Sequence, residues 1–170
     1  MKIFLIGYMG SGKSTVGNIL SQSLKMDFID FDRYIENGTS KTISEIFETE
    51  GEDEFRNLEN KYLKEVLLMN NVVVSLGGGT PCFFNNMELI NKSGISVYLE
   101  MSVYSLVKRI SKTKRKRPLI QRMNTADLKY FIEAHLEKRK LIYSKAHHII
   151  DSENKSPEQL AEIIAMKISR

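Results

Sequence analysis

The chain opens with an apolar run, residues 2–7, that passes directly into Gly7-Tyr8-Met9-Gly10-Ser11-Gly12-Lys13-Ser14. After it, apolar residues recur at Val16, Ile19, Leu20 and Leu24, the spacing of one helical face. A strand, a glycine-rich turn and a helix in that order admit few folds. The glycines let the backbone curl so that successive N–H groups point inward. The helix that begins there adds the positive end of its dipole. The result is a cradle for phosphate oxygens. The spacing is G-x-x-x-x-G-K-[ST], in which the lysine meets the β- and γ-phosphates of a nucleotide and the hydroxyl meets Mg²⁺. Gly10, Ser11, Gly12, Lys13, Ser14 and Thr15 are therefore candidate nucleotide-binding residues. Lys13 is also a candidate catalytic cation, and Ser14 a candidate metal ligand.

Five β-type runs are predicted, at residues 2–7, 27–32, 72–77, 96–100 and 148–151. The first and third are almost wholly apolar, as strands covered on both faces are. Helical stripes lie between them: Phe55, Leu58, Tyr62, Leu63 and Val66, then Leu128, Phe131, Ile132, His135, Leu136 and Ile142. Ser156-Pro157-Glu158-Gln159 is a capping box that starts a last helix. Alternating strands and helices predict an α/β protein with a mainly parallel sheet, whose ligands bind beyond the carboxyl ends of the strands. With 170 residues and neither repeat nor linker, one domain is expected.

Composition excludes more than it identifies. A formal charge of +4 is compatible with an anionic ligand and too small to name one. Cys82 is the only cysteine, which rules out an internal disulfide, suits a reducing compartment and favours a packed apolar role. No signal peptide and no apolar run of bilayer length is apparent, so a cytoplasmic protein is expected. His135, His147 and His148 read as packed helix or strand residues.

Charge is segregated. Residues 44–60 hold seven acids and one base, Arg56, whereas residues 101–126 hold eight bases and no acid. The third β run ends in Gly77-Gly78-Gly79 and carries no terminal aspartate. The carboxylates near the cradle are Asp30 and Asp32 at the end of the second run, expected to share one face of the strand with Phe31 on the other.

Taken in order, several features resemble the shikimate kinase family. They are the loop continuing Thr15-Val16-Gly17, Asp30-Phe31-Asp32, and Ile43-x-x-Ile46-Phe47-x-x-x-Gly51-Glu52-x-x-Phe55-Arg56-x-x-Glu59. Gly77-Gly78-Gly79, Arg117-Pro118-Leu119 and Arg139-x-x-x-Tyr143-x-x-Ala146 follow. Many families share the first loop; the combination with Gly-Glu-x-x-Phe-Arg, the glycine triplet and Arg-Pro-Leu is far more selective. The resemblance implies a three-layer kinase fold with a five-stranded parallel sheet, a helical substrate-binding region at about residues 33–61 and a lid at about residues 110–124. It implies phosphorylation of the shikimate 3-hydroxyl by ATP, a step of aromatic amino-acid biosynthesis. Asp32, Arg56, Gly77, Gly78, Gly79 and Arg139 would hold shikimate. Lys13 and Arg117 would hold the transferring phosphoryl group, and Ser14 and Asp30 the Mg²⁺ ion. Arg109 and Lys155 would lie on the adenine side. The implied partners are ATP and shikimate, without nucleic acid or membrane, for a monomeric enzyme.

The chemistry asks for such residues independently. A carboxylate on the substrate calls for planar guanidinium donors. Arg139 falls on an otherwise apolar helical stripe, four residues after His135, and so is expected to face inward. The alternative for Arg139 and for Arg56 is a plain ion pair. Three consecutive glycines suit close approach of a ring to the backbone. Asp32 either takes the proton of the attacking hydroxyl or only orients it. Competing activities are gluconate kinase or another small-metabolite kinase, adenylate kinase, and a nucleic-acid-binding NTPase using the basic block Lys112-Thr113-Lys114-Arg115-Lys116-Arg117, which lacks interleaved aromatics.

Overall fold

The computed structural model describes residues 1–112, 120 and 123–169. Its centre is a five-stranded sheet formed by β1 (Lys2–Ile6), β2 (Asp27–Asp30), β3 (Val72–Ser75), β4 (Ile95–Glu100) and β5 (His148–Asp151). The strand order is β2-β3-β1-β4-β5 and every pairing is parallel. The α/β reading and all five strands therefore hold.

Helices α1 (Lys13–Leu24), α2 (Phe31–Thr39), α3 (Ile43–Thr49), α4 (Gly51–Leu67), α5 (Asn86–Ser93), α6 (Val103–Lys112), α7 (Thr125–Tyr143) and α8 (Pro157–Ile168) complete the described fold. Alternation along the strands divides the core. Ile3 and Leu5 of β1 pack with Val16 and Leu20 of α1 and with Leu160 and Ile164 of α8. Phe4 and Ile6 point to the opposite face, toward Leu63 of α4, Ile90 of α5, Leu106 of α6 and Ile132 of α7. Both faces of β1 are thus covered, which explains its unbroken apolar run.

Three strands end earlier than their apolar runs suggest. β1 stops at Ile6, β3 at Ser75, and β2 at Asp30. The last difference corrects the expectation of two aspartates on one strand face. Asp30 is the N-cap of α2, its side chain accepting a hydrogen bond from the Arg33 amide. Phe31 and Asp32 lie in the first helical turn, with Phe31 fully buried. A capping carboxylate satisfies a helix N–H that strand continuation would not offer, and it turns the chain here.

The predicted capping box at the start of α8 is present: Ser156 accepts from the Gln159 amide, and the Gln159 side chain accepts from the Ser156 amide. Because α8 packs along α1, the helix that emerges from the phosphate loop, its stability bears on the loop. Ser156→Ala should lower unfolding free energy by about 1 kcal/mol, read as a shifted urea midpoint with unchanged m-value.

Candidate active site

The parallel register brings three strand ends into one row. Leu5 of β1 stands opposite Ser75 of β3, and Asp30 of β2 stands opposite the same Ser75. The segments that leave these ends line a cleft of about 240 Å³: Gly10, Gly12, Lys13, Ser14 and Thr15 from the loop, Asp30 and Asp32 from the start of α2, and Gly77 and Gly78 beyond β3. The cradle residues and both aspartates therefore meet, although the aspartates reach the cleft from a helix cap and a helical turn.

Gly10 and Gly12 take φ of 81° and 95°, left-handed values that a side chain would oppose. α6 lies over this turn. A Cβ on Gly10 would be 2.9 Å from Ile110, and one on Gly12 would be 3.5 Å from an Arg109 nitrogen. Ser11 is wholly buried beneath the loop. The Lys13 ammonium donates to the Gly7 and Tyr8 carbonyls at 2.8 and 3.0 Å, which folds it over the loop. The Ser14 hydroxyl donates to Asp30 Oδ2 at 2.7 Å and lies 3.3 Å from the Ser75 hydroxyl. Hydroxyl and carboxylate oxygens so close together suit a hard cation that keeps most of its water.

The far wall is the glycine triplet. A Cβ on Gly77 would stand 2.8 to 3.1 Å from Thr80 Oγ1, Asp32 Oδ1 and Glu59 Oε1. One on Gly78 would stand 3.4 Å from Arg139 Nη1, and one on Gly79 only 2.6 Å from Arg56 Nη1. Both arginines therefore adjoin the triplet, Arg139 at Gly78 close to the Gly7 and Met9 backbone and Arg56 at Gly79.

Their surroundings differ. Arg56 is 7% exposed and pairs with Glu59 at 2.5 Å and Glu52 at 2.9 Å, its guanidinium lying 4.1 Å from the Phe83 ring centre. The ion pair considered from sequence thus exists, but it is buried at the cleft wall. Glu59 is 1% exposed and also accepts from the Thr80 hydroxyl at 2.5 Å. Burial pushes the Glu59 carboxyl above its ordinary value; Arg56 and Thr80 act the other way. Asn86 donates to the Thr80 carbonyl, and Asn60 donates to Asn86, so the network continues into the frame. Arg139, half-buried on α7, pairs with no carboxylate among the described residues. Its guanidinium stands 5.3 Å from the Tyr8 ring centre. Tyr143, one turn later and fully buried, donates its hydroxyl to the Gly78 carbonyl.

Glu59, Thr80, Tyr8 and Tyr143 are site residues to which sequence reading assigned no role. Glu59 and Tyr143 sit at helical spacing from Arg56 and Arg139, and that i+3 and i+4 relation was the available clue. Cys82 is a free thiol beside the same wall, pushed up to about 11 by burial against the opposing charges of Arg139 and Arg56, which leaves it protonated at neutral pH.

On the other side, Glu153 accepts from the Ser102 amide and the Ser105 hydroxyl, both at 2.7 Å, and so ties the β5–α8 connection to the start of α6. Lys155 turns back to Asp151 at 3.5 Å. Arg109 is exposed above Gly12. Arg117 and most of the proposed lid lie outside the described residues.

Removing one partner from the buried pair leaves the other charge stranded. Glu59→Ala should lower stability by about 3 kcal/mol, with Glu52 retaining part of the Arg56 charge compensation; chemical denaturation measures it. A loss below about 0.5 kcal/mol, the usual span for surface changes, would show that the pair is solvated.

Comparison with known proteins converges on one family. A family-wide profile described as "Shikimate kinase" matches residues 9–169. A shikimate kinase of Azobacteroides pseudotrichonymphae is 44% identical over 168 residues, covering 98% of this chain and 99% of that protein. The crystal structure of a shikimate kinase from Bacteroides thetaiotaomicron superposes with a TM-score of 0.94 at 38% identity, covering 100% of this chain and 99% of that one. One from Acinetobacter baumannii in complex with shikimate gives 0.91 at 35% identity, covering 99% and 92%.

Proposed function

The chain belongs to the shikimate kinase family and is an ATP-dependent kinase acting on shikimate; we propose that it phosphorylates the 3-hydroxyl with the residues gathered in this cleft. The observation that supports the assignment is the pair of arginines beside the glycine triplet, Arg139 at Gly78, next to the cradle backbone, and Arg56 at Gly79. Arg139 is offered to the substrate carboxylate. Arg56, held by Glu59 and Glu52, engages the carboxylate side of the ring as well, since only three of its five N–H groups are used in those bonds. Gly77, Gly78 and Gly79 let the ring approach the backbone. Asp32 accepts the hydrogen bond of the attacking hydroxyl. In a loose transition state, orientation matters more than full proton abstraction, so placement is its main contribution.

At the nucleotide, the backbone N–H groups of Gly10, Ser11 and Gly12 and the start of α1 receive phosphate oxygens, with Ser14 and Thr15 in its first turn. Lys13 exchanges its carbonyl partners for the transferring phosphoryl group. Arg117 supplies a second cation there. Ser14 and Asp30 would hold Mg²⁺, which would supply neutralisation of charge on the phosphate oxygens. Arg109 above Gly12 and Lys155 beyond β5 border the adenine. The working unit is a single kinase domain, with residues 33–61 as its substrate-binding region and residues 110–124 as its lid. A cytoplasmic monomer is the proposed form, a lone thiol suiting a reducing compartment. Among the described residues no helix is long and apolar enough to cross a membrane.

A coupled ADP-release assay with Mg-ATP tests this reading. Turnover is expected with shikimate; consumption of ATP with gluconate and not with shikimate would overturn it. Lys13→Ala should lower kcat by roughly 100-fold or more. Arg139→Ala should raise KM for shikimate roughly tenfold or more while changing kcat less.

A further inference from the structure

Tyr8 belongs to the phosphate loop, yet its side chain does not line the cleft beside Lys13. It is 1% exposed and packs in the core beneath α6 and α7. Above its ring stands the Arg139 guanidinium, 5.3 Å from the centre, within the range of a cation–π contact. The two arginines at the cleft wall are therefore held by different means. Arg56 gives Nε, Nη1 and Nη2 to carboxylates. A ring face attracts a guanidinium without occupying any of its N–H groups. Arg139 also meets the Tyr143 hydroxyl, but it gives nothing to a carboxylate among the described residues, so most of its fork stays open to a ligand and it loses less freedom when the ligand arrives. Gly78 closes the arrangement: a Cβ there would be 3.4 Å from Arg139 Nη1, from the Gly7 carbonyl oxygen and from the Met9 amide nitrogen. Tyr143 holds the same glycine through its carbonyl.

We propose that Tyr8 is a positioning residue for the hydroxylated ring-acid substrate: its ring face seats the Arg139 guanidinium so that the fork is presented to the substrate carboxylate. The proposal rests on the reading of Arg139 as the carboxylate ligand. It also gives the phosphate loop a second task, since the residue whose carbonyl holds Lys13 orients the acceptor-binding arginine with its ring.

Calorimetric titration of shikimate into the full chain tests it. Tyr8→Leu should weaken shikimate binding about tenfold, and Tyr8→Phe, which keeps the ring face, should stay within about twofold of the parent. In an Arg139→Ala background the further change Tyr8→Leu should cost less than about twofold, because the ring then has no guanidinium to seat. A purely structural role would give the same loss in both backgrounds and would overturn the proposal, as would equal losses for Leu and Phe. Should Tyr8→Leu fail to melt cooperatively, Tyr8→Met provides the same comparison with a side chain that adapts to core gaps. Undiminished shikimate affinity in Arg139→Ala would overturn the role of Arg139 and this inference together. Weak binding by Arg139→Ala with normal binding by Tyr8→Leu would overturn this inference alone.

Discussion

Parallel pairing of β3 with both β1 and β2 sets the geometry of the whole cleft. It places Leu5, Ser75 and Asp30 in one row, so the three segments that leave those strands emerge at the same edge. One segment becomes the phosphate cradle, one the aspartate-bearing start of α2, and one the glycine triplet. Their chemical roles differ, but their proximity has a single cause. A register slip of one residue would turn Phe4 and Ile6 toward α1 and α8 and scatter the strand ends. The apolar packing on both faces of β1 therefore protects the site as well as the fold.

On that frame the cleft is built from opposed charges with unequal compensation. Arg56 and Glu59 satisfy one another in a buried pair, and Thr80 completes the carboxylate's hydrogen bonding. Removing charge from water is unfavourable without such partners. Arg139 is stabilised by an aromatic face and by the neighbouring Tyr143 hydroxyl, and it spends no donor on a carboxylate among the described residues. The Asp32 and Glu59 carboxylates approach the same glycine, Gly77, so acidic and basic groups border the far wall together. A polyhydroxylated ring acid suits that wall, since it presents both hydroxyl donors and an anionic carboxylate.

Much of this was legible in the chain. The loop spacing, the strand before it and the apolar period after it are local features, and they survive unchanged in the fold. The inward direction of Arg139 followed from its place on a helical stripe. The end of β2 is not legible in the sequence, because Asp30-Phe31-Asp32 continues a β-like pattern; only the capping bond to the Arg33 amide shows that the chain turns helical there. Glu59 and Tyr143 carried periodicity without a partner, since their partners, Thr80 and Gly78, are distant in sequence.

Sequence by itself determined the phosphate cradle, the five strands, the helices that became α1, α4, α7 and α8, and the family pattern that names the acceptor. These depend on backbone conformation and on repeats of two or of about four residues. Tertiary structure alone decided that Arg56 is shared with Glu59, that Arg139 rests on Tyr8, and that Gly78 is gripped from α7. Each of those contacts depends on the relative placement of separate elements, which is set by the packing of both sheet faces and has no imprint in local spacing.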